Sequence, residues 1–319
     1  MPHSAKVPSP PPSGVMLAIG LKVLSVVVFL VMAGLLKGTQ TVPSGQLVFF
    51  RSLFAVLPIL VFLAWRRELV EGFKTRRPLG HLGRAIVGVG GMGCGFFALT
   101  RLPLPESIAI NYAMPLVIVV LGALFLKETV RLYRWSAVLV GLLGVGVIVW
   151  PRLTLLGSAA GPTPDEALGA LVALIGCVFA GFAAISVRAL VQTERSATIV
   201  LYFSLIASAL ALASIPFGWV WPTPTQWAML VGAGIAGGIA QILLTESYRH
   251  ADVSLVAPFE YTSLIFGIGV GFLFFGEVPT VPMLIGSAIV VAAGLFIIFR
   301  ERQLGLERRH TREVTPPQN

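Results

Sequence analysis

Ten blocks of mostly apolar residues, each about 20 residues long and separated by short polar loops, run the length of this chain and limit its fold more than any other feature. A helix rising 1.5 Å per residue crosses a hydrocarbon core of roughly 30 Å in about 20 residues. The blocks are residues 16–36, 46–65, 82–100, 107–126, 135–150, 168–187, 198–215, 227–247, 253–275 and 281–299. In lipid, a spanning segment must satisfy its own backbone, which leaves helices and closed barrels, and blocks this long are helices. A soluble core does not account for them: 56% of the 319 residues are hydrophobic and only 12% charged, against about 25% charged in a soluble domain. The expected class is an all-α integral membrane protein.

The charge pattern gives the orientation. The net charge of +9 would raise nucleic acid as a partner in a soluble chain, but here the Lys and Arg gather at helix ends. With the N-terminus in the cytoplasm, the inner segments hold 18 of the 23 basic residues, Arg84 among them, and the outer ones hold Lys37, Arg101 and Arg152. Cytoplasmic loops carry that excess, so both termini are expected inside a bacterial-type inner membrane. Residues 1–15 are Pro- and Ser-rich and read as a disordered cytoplasmic leader; no A-x-A-like cleavage pattern follows the first block, so that block is expected to be kept as a helix. Residues 300–319 read as a basic cytoplasmic tail.

An internal repeat organises the ten spans. Aligning LFLKE, ending at Glu128, with LFFGE, ending at Glu277, sets an offset of 149 that also superposes Gly83 on Gly232, Gly88 on Gly237, Tyr112 on Tyr261, Gly122 on Gly271 and Phe125 on Phe274. With one residue inserted, Gly144 meets Gly294. Five spans reverse direction in the membrane, so the halves, residues 16–150 and 168–299 joined by an outer linker at 151–167, have inverted topology. Many alternating-access transporters are built that way.

With a Pro in each of the fourth and ninth spans (Pro115, Pro258), the matching endings LFLKE and LFFGE, and Gly-rich fifth and tenth spans, the chain resembles the drug/metabolite transporter superfamily, specifically its EamA-type members. The resemblance covers nearly all of the chain. It implies two inverted five-helix repeats around a central cavity and transport of a small organic solute such as an amino acid, a vitamin or a nucleotide-like metabolite.

Polar side chains at membrane depth are costly unless they face a cavity or a partner, and few are present. Lys22 lies two turns into the first span, with snorkelling to the interface as its alternative. Arg51 lies in the second span, where its guanidinium can hold a carboxylate or phosphate bidentately, or a carbonyl structurally. Asn111 and Tyr112 precede Pro115, and Glu260 and Tyr261 follow Pro258 at the matching repeat positions. A proline frees a backbone carbonyl that needs a neighbour, water or ligand, so these two pairs mark the expected central site, with interhelical polar clamps as the structural alternative. Gln241 can reach the same space. A proton-coupled carrier needs a carboxylate whose affinity for protons is raised by burial; Glu260, then Glu106, are the candidates. Glu128 and Glu277 read as solvated helix ends, Glu246 and Arg249 as an interfacial pair, and Phe203, with Phe96, Phe97 and Tyr202, as candidates for a hydrophobic wall.

The Gly runs at 88–95, 232–238 and 267–271 fall inside spans, where small residues permit close helix approach, and no phosphate loop is indicated. Cys94 and Cys177 read as packing residues. No nucleophile with a base, paired carboxylates or metal-ligand cluster is present in the sequence, so neither an enzyme, a cofactor nor a metal is expected. The expected partners are a small-molecule substrate and membrane lipid, with a homodimer left open and no nucleic acid. A lipid-handling or structural membrane protein is the alternative function.

Overall fold

The computed structural model describes residues 12–125, 132–154, 164–190, 193–250 and 257–314. Among the described residues the secondary structure is helical, without strands. The helices are α1 Pro12–Lys37, α2 Ser44–Trp65, α3 Pro78–Leu99, α4 Leu104–Asn111, α5 Ala113–Phe125, α6 Leu132–Thr154, α7 Pro164–Leu190, α8 Ser196–Ala211, α9 Pro224–His250, α10 Thr262–Phe275 and α11 Val281–Val314. Among the described residues nine spans are long and apolar enough to cross a membrane, and the shorter apolar stretch Phe259–Phe275 makes the tenth. The chain is therefore a multi-pass membrane protein of the all-α class.

Prolines set where these helices begin. Pro78 and Pro105 stand in the first turns of α3 and α4, and Pro43 and Pro103 immediately precede α2 and α4. The missing N–H does no harm there, because first-turn amides have no intrahelical acceptor. The expected spans are helical where described, and most begin two to four residues before the apolar blocks; residues 253–256 of the ninth lie outside the described residues.

One span is broken where the sequence placed a proline. α4 ends at Asn111, Tyr112 forms a turn, and α5 resumes at Ala113. Pro115 has no N–H to offer the Asn111 carbonyl and its ring crowds that position, so the ladder is interrupted one turn upstream. In the ninth span the Ala257–Tyr261 segment is a 3₁₀ turn before α10, and Pro258 stands at its start. The side chain of Pro258, those of Arg188 and Arg249, and all of Glu128 lie outside the described residues.

The packing follows the repeat. α1 lies along α9, and its counterpart α7 lies along α3; α2 packs on α9 as α8 does on α3; α5 packs on α7 as α10 does on α1; α2 meets α8 and α6 meets α11, each its own counterpart. Exchanging the halves maps each of these contacts onto another of them, which is the pattern of two inverted five-helix repeats. The tyrosines that the 149-residue offset superposes, Tyr112 and Tyr261, touch each other edge to face at 5.2 Å, so they straddle the pseudo-two-fold axis.

Two kinds of surface hold the bundle together. One is glycine approach: a Cβ on Gly144 would stand 2.8 Å from the Gly286 carbonyl oxygen and 2.9 Å from Val290, so α6 and α11 cross backbone to backbone. The other is apolar filling. A cluster at one end contains Leu36, Leu47, Phe50, Leu99, Leu104 and Leu230, residues drawn from the ends of α1 and α3 and the beginnings of α2, α4 and α9. A second, built around Ile110, Leu116, Ile148, Cys177 and Met283, joins α4, α5, α6, α7 and α11. Outward-facing Leu139, Leu143, Ile265 and Leu273 are exposed, as expected where lipid is the solvent.

Candidate functional site

The bundle has two unlike ends: the one bearing the chain termini, called here the terminal end, and the opposite one, the far end. At the far end Lys37, the last residue of α1, is 4% exposed. Its Nζ lies 2.7 Å from Glu277 Oε1 and also donates to the Leu102 carbonyl. Glu277 Oε2 accepts the Leu104 amide at 2.7 Å. Glu277 is delivered there by Gly276, whose left-handed backbone (φ 65°) ends α10 and lets the Glu277 amide bond back to the Gly271 carbonyl at 3.0 Å. Expected as a solvated helix end, Glu277 is instead mostly covered, and with Lys37 it ties α1, α10 and the α3–α4 connection together above the apolar cluster.

Near the terminal end the same two spans meet again. Lys22, 1% exposed, donates from Nζ to Glu260 Oε2. It does not snorkel; the carboxylate reaches it across the bundle. The Glu260 side chain is 52% exposed, so one member of this pair is enclosed and the other open. Glu260 sits on the 3₁₀ turn, whose tighter winding sets it beside Tyr261 and Ser263. The Ser263 hydroxyl donates to the Glu260 carbonyl at 2.6 Å and lies 2.6 Å from the Tyr112 hydroxyl, which is 3.5 Å from the Tyr261 carbonyl. Lys22, Tyr112, Glu260 and Tyr261 thus form one connected group.

The remaining expected residues are distributed around that group. Asn111 is exposed; its amide donates to the Ser107 carbonyl at 2.9 Å. Glu106 is buried in the first turn of α4, 4% exposed. Arg51 is interior, 8% exposed, with its Nε against the bare backbone of Gly237 in α9. Gln241 lies one turn further along α9 and lines a cavity of about 350 Å³ at the terminal end, between α2, α8 and α9, whose walls include Ile59, Val200 and Thr245. Glu246 and Arg66 approach to 3.4 Å at its rim.

Arg84 was not among the expected site residues. Counted above with the inner loops, it lies two turns into α3 and lays its guanidinium over the Phe203 ring at 4.1 Å. The signal was available: Arg84 falls inside the apolar block at 82–100, and the run of small residues after it clears the space into which its side chain turns. Its charge lies within electrostatic reach of Arg51. Among the described residues no group of three or more metal-ligating side chains occurs.

Comparison with known proteins agrees with the two-half fold. The family model described as the EamA-like transporter family matches twice, over residues 12–150 and 167–300, once per half. The pseudopaline exporter of Pseudomonas aeruginosa is 30% identical over 286 residues, covering 88% of this chain and 94% of its own length. A riboflavin transporter of Rhizobium johnstonii is 30% identical, covering 81% and 82%, and an S-adenosylmethionine uptake transporter of Rickettsia felis is 24% identical, covering 84% and 86%. A solved crystal structure superposes with a TM-score of 0.64 at 23% identity, covering 90% of this chain and 97% of that one, which speaks to the fold. Two matches to one family model, one in each half, and relatives covering both halves lead to a single conclusion: the chain belongs to the EamA-like transporter family, within the drug/metabolite transporter superfamily.

Proposed function

We propose that this transporter is a secondary carrier that moves a small organic metabolite across the inner membrane by alternating access, and that the conformation described above is the inward-open one. The supporting observation is the contrast between the ends. The far end is filled by the Leu36–Leu104 cluster and tied by Lys37 and Glu277, whereas the terminal end holds the cavity and the half-exposed Glu260. The bias of Lys and Arg toward the terminal end supports a cytoplasmic position for it, with residues 16–150 and 168–299 as the two moving halves. Substrate would pass Lys22, Arg51, Asn111, Tyr112, Gln241, Glu260 and Tyr261. Glu260, bonded to Lys22 yet accessible, is the candidate for proton linkage, with Glu106 second.

The test is transport in proteoliposomes with imposed pH gradients. Riboflavin and S-adenosylmethionine, from the relatives' names, are the first labelled compounds, in both directions, since an exporter and a vitamin transporter match at the same 30% identity. Saturable flux that responds to the gradient, with the response lost in Glu260→Gln, is expected. Lipid scrambling with no saturable flux of any soluble metabolite would replace the carrier by a lipid-handling protein.

A further inference from the structure

Two arginines inside the bundle, Arg51 on α2 and the partly buried Arg84 two turns into α3, lie within electrostatic reach of each other and carry an inference that rests on the carrier reading and narrows its cargo. Arg51 is enclosed on α2 against Gly237 and near Met32, and Arg84 reaches from α3 to the Phe203 ring of α8. Nε and Nη1 of Arg84 are buried without a hydrogen-bond partner, and so are the hydroxyls of Ser52 and Ser204, the sequence neighbours of Arg51 and Phe203. Among the described residues no carboxylate lies within ion-pair distance of either guanidinium.

The other two lysines at depth show how this bundle treats a cation it keeps for structure: Lys22 has Glu260 and Lys37 has Glu277. A lone buried cation costs several kcal/mol, and a second one of the same sign beside it adds repulsion. A structural role does not offset that cost. An arriving anion does, because a guanidinium presents a planar fork that matches carboxylate and phosphate oxygens, and the low dielectric strengthens the contact. Phe203 and Met32 leave an apolar wall for the rest of the molecule.

We propose that Arg51 and Arg84 form an anion clamp, so that the transported metabolite carries a carboxylate or phosphate group held between α2 and α3 and an apolar portion against Phe203. The cavity at the terminal end lies below this point: Ile59, on its wall, is two turns from Arg51, ~12 Å along α2 at the helical rise. Cargo entering there would meet the arginines after passing Gln241.

The test uses the full chain in nanodiscs of phosphatidylcholine alone, with the unfolding midpoint followed as succinate, benzoate or inorganic phosphate is added at constant ionic strength. Succinamide and benzamide are the neutral controls. At least one anion is expected to raise the midpoint, as any native-state ligand does, while its amide does not. Arg51→Gln and Arg84→Gln should each weaken that binding by about tenfold or more, with Arg51→Lys in between. Without ligand, both Gln variants should unfold at or above the wild-type midpoint, because each removes a repulsion. No stabilisation by any of the three anions, equal shifts by acid and amide, or an undiminished shift in both variants overturns the clamp. So does a marked loss of stability in both unliganded variants, which would make the arginines structural. If phosphatidylglycerol added to the discs competes the free anion away, the site belongs to a lipid headgroup and the metabolite assignment falls. Uptake of the labelled anion into proteoliposomes separates the two readings: binding without uptake overturns the carrier and leaves the clamp, whereas flux of only neutral or cationic compounds, unchanged in Arg51→Gln, overturns the clamp and leaves the carrier.

Discussion

The same two spans, the first and the ninth, are joined by an ion pair at each end of the bundle, and the pairs are built differently. Lys37 and Glu277 are both mostly covered, with side-chain exposures of 5% and 16%, and each has a backbone partner besides the other. Lys22 and Glu260 differ sharply from each other, at 2% and 52%. A pair closed on both sides and anchored to backbone resists separation; a pair with one open member can be rehydrated, protonated or displaced by a ligand. The first suits a latch and the second suits a step in a transport cycle, although lysine and glutamate supply both.

The sharpest way to break this comparison is to neutralise one acid at a time. Glu277→Gln strands the covered Lys37 ammonium, and stripping one partner from a buried pair costs about 3–5 kcal/mol. The double variant Lys37→Met with Glu277→Gln should regain part of that loss, because no charge remains buried. Both are read as unfolding midpoints in detergent, against wild type. Glu260→Gln also strands a covered ammonium, that of Lys22, but water can enter through the open side of residue 260, so it should cost less, about 1–2 kcal/mol, yet it is the one expected to abolish the pH response of transport. Equal losses at the two sites would mean that the difference in exposure does not separate latch from transport step.

A control that disturbs packing without touching either pair comes next. Gly144→Leu drives a side chain into the Gly286 carbonyl and Val290 where α6 crosses α11, and overpacking of that kind costs about 1–3 kcal/mol. The unfolding midpoint should fall while the pH dependence and apparent substrate affinity of transport stay as in wild type. If substrate affinity changes as well, the α6–α11 crossing takes part in the cycle and the division between latch, step and frame is too simple.

These predictions also mark what could be read from the chain before its fold. Span number and the inverted repeat were legible because lipid forces a length and a sidedness onto every segment, and the 149-residue offset found Tyr112 and Tyr261 before their rings were seen to touch. Glu260 stood out as a site candidate because an acid beside a membrane proline has few excuses. Glu277 did not, because a carboxylate at a helix end is ordinarily solvated, and only the left-handed turn at Gly276 and the incoming Lys37 of another helix cover it. Arg84 was counted toward the loops, since its contact with the Phe203 ring joins residues far apart in sequence. The choice of partner across the bundle is a tertiary property, and no local pattern carries it.

The smallest expected effect belongs to an acid outside the spans, which sharpens the comparison by showing a carboxylate held at the terminal end mainly by backbone amides and a hydroxyl rather than by a lysine. Glu194, in the α7–α8 connection, accepts hydrogen bonds from the Arg76 amide at 2.7 Å, the Thr75 hydroxyl at 3.0 Å and the Arg77 amide at 3.1 Å, so it fastens that loop to the one between α2 and α3. Burial by itself would raise its pKa, but the Arg76 amide, the Thr75 hydroxyl, the nearby His81 and the Arg77 amide outweigh it, and the group is held below its usual value of 4.5. Since the folded-state value is the depressed one, the stabilisation is complete above the unfolded value and disappears as pH falls from about 4.5 through the lower folded one. Glu194→Gln should therefore cost no more than about 1 kcal/mol, the usual net worth of a hydrogen bond, near neutral pH, and the gap between variant and wild type should close as the solution is acidified below that window. A gap that stays constant down to low pH would show that the side chain acts through its shape and amide-like bonding alone, and not through its charge.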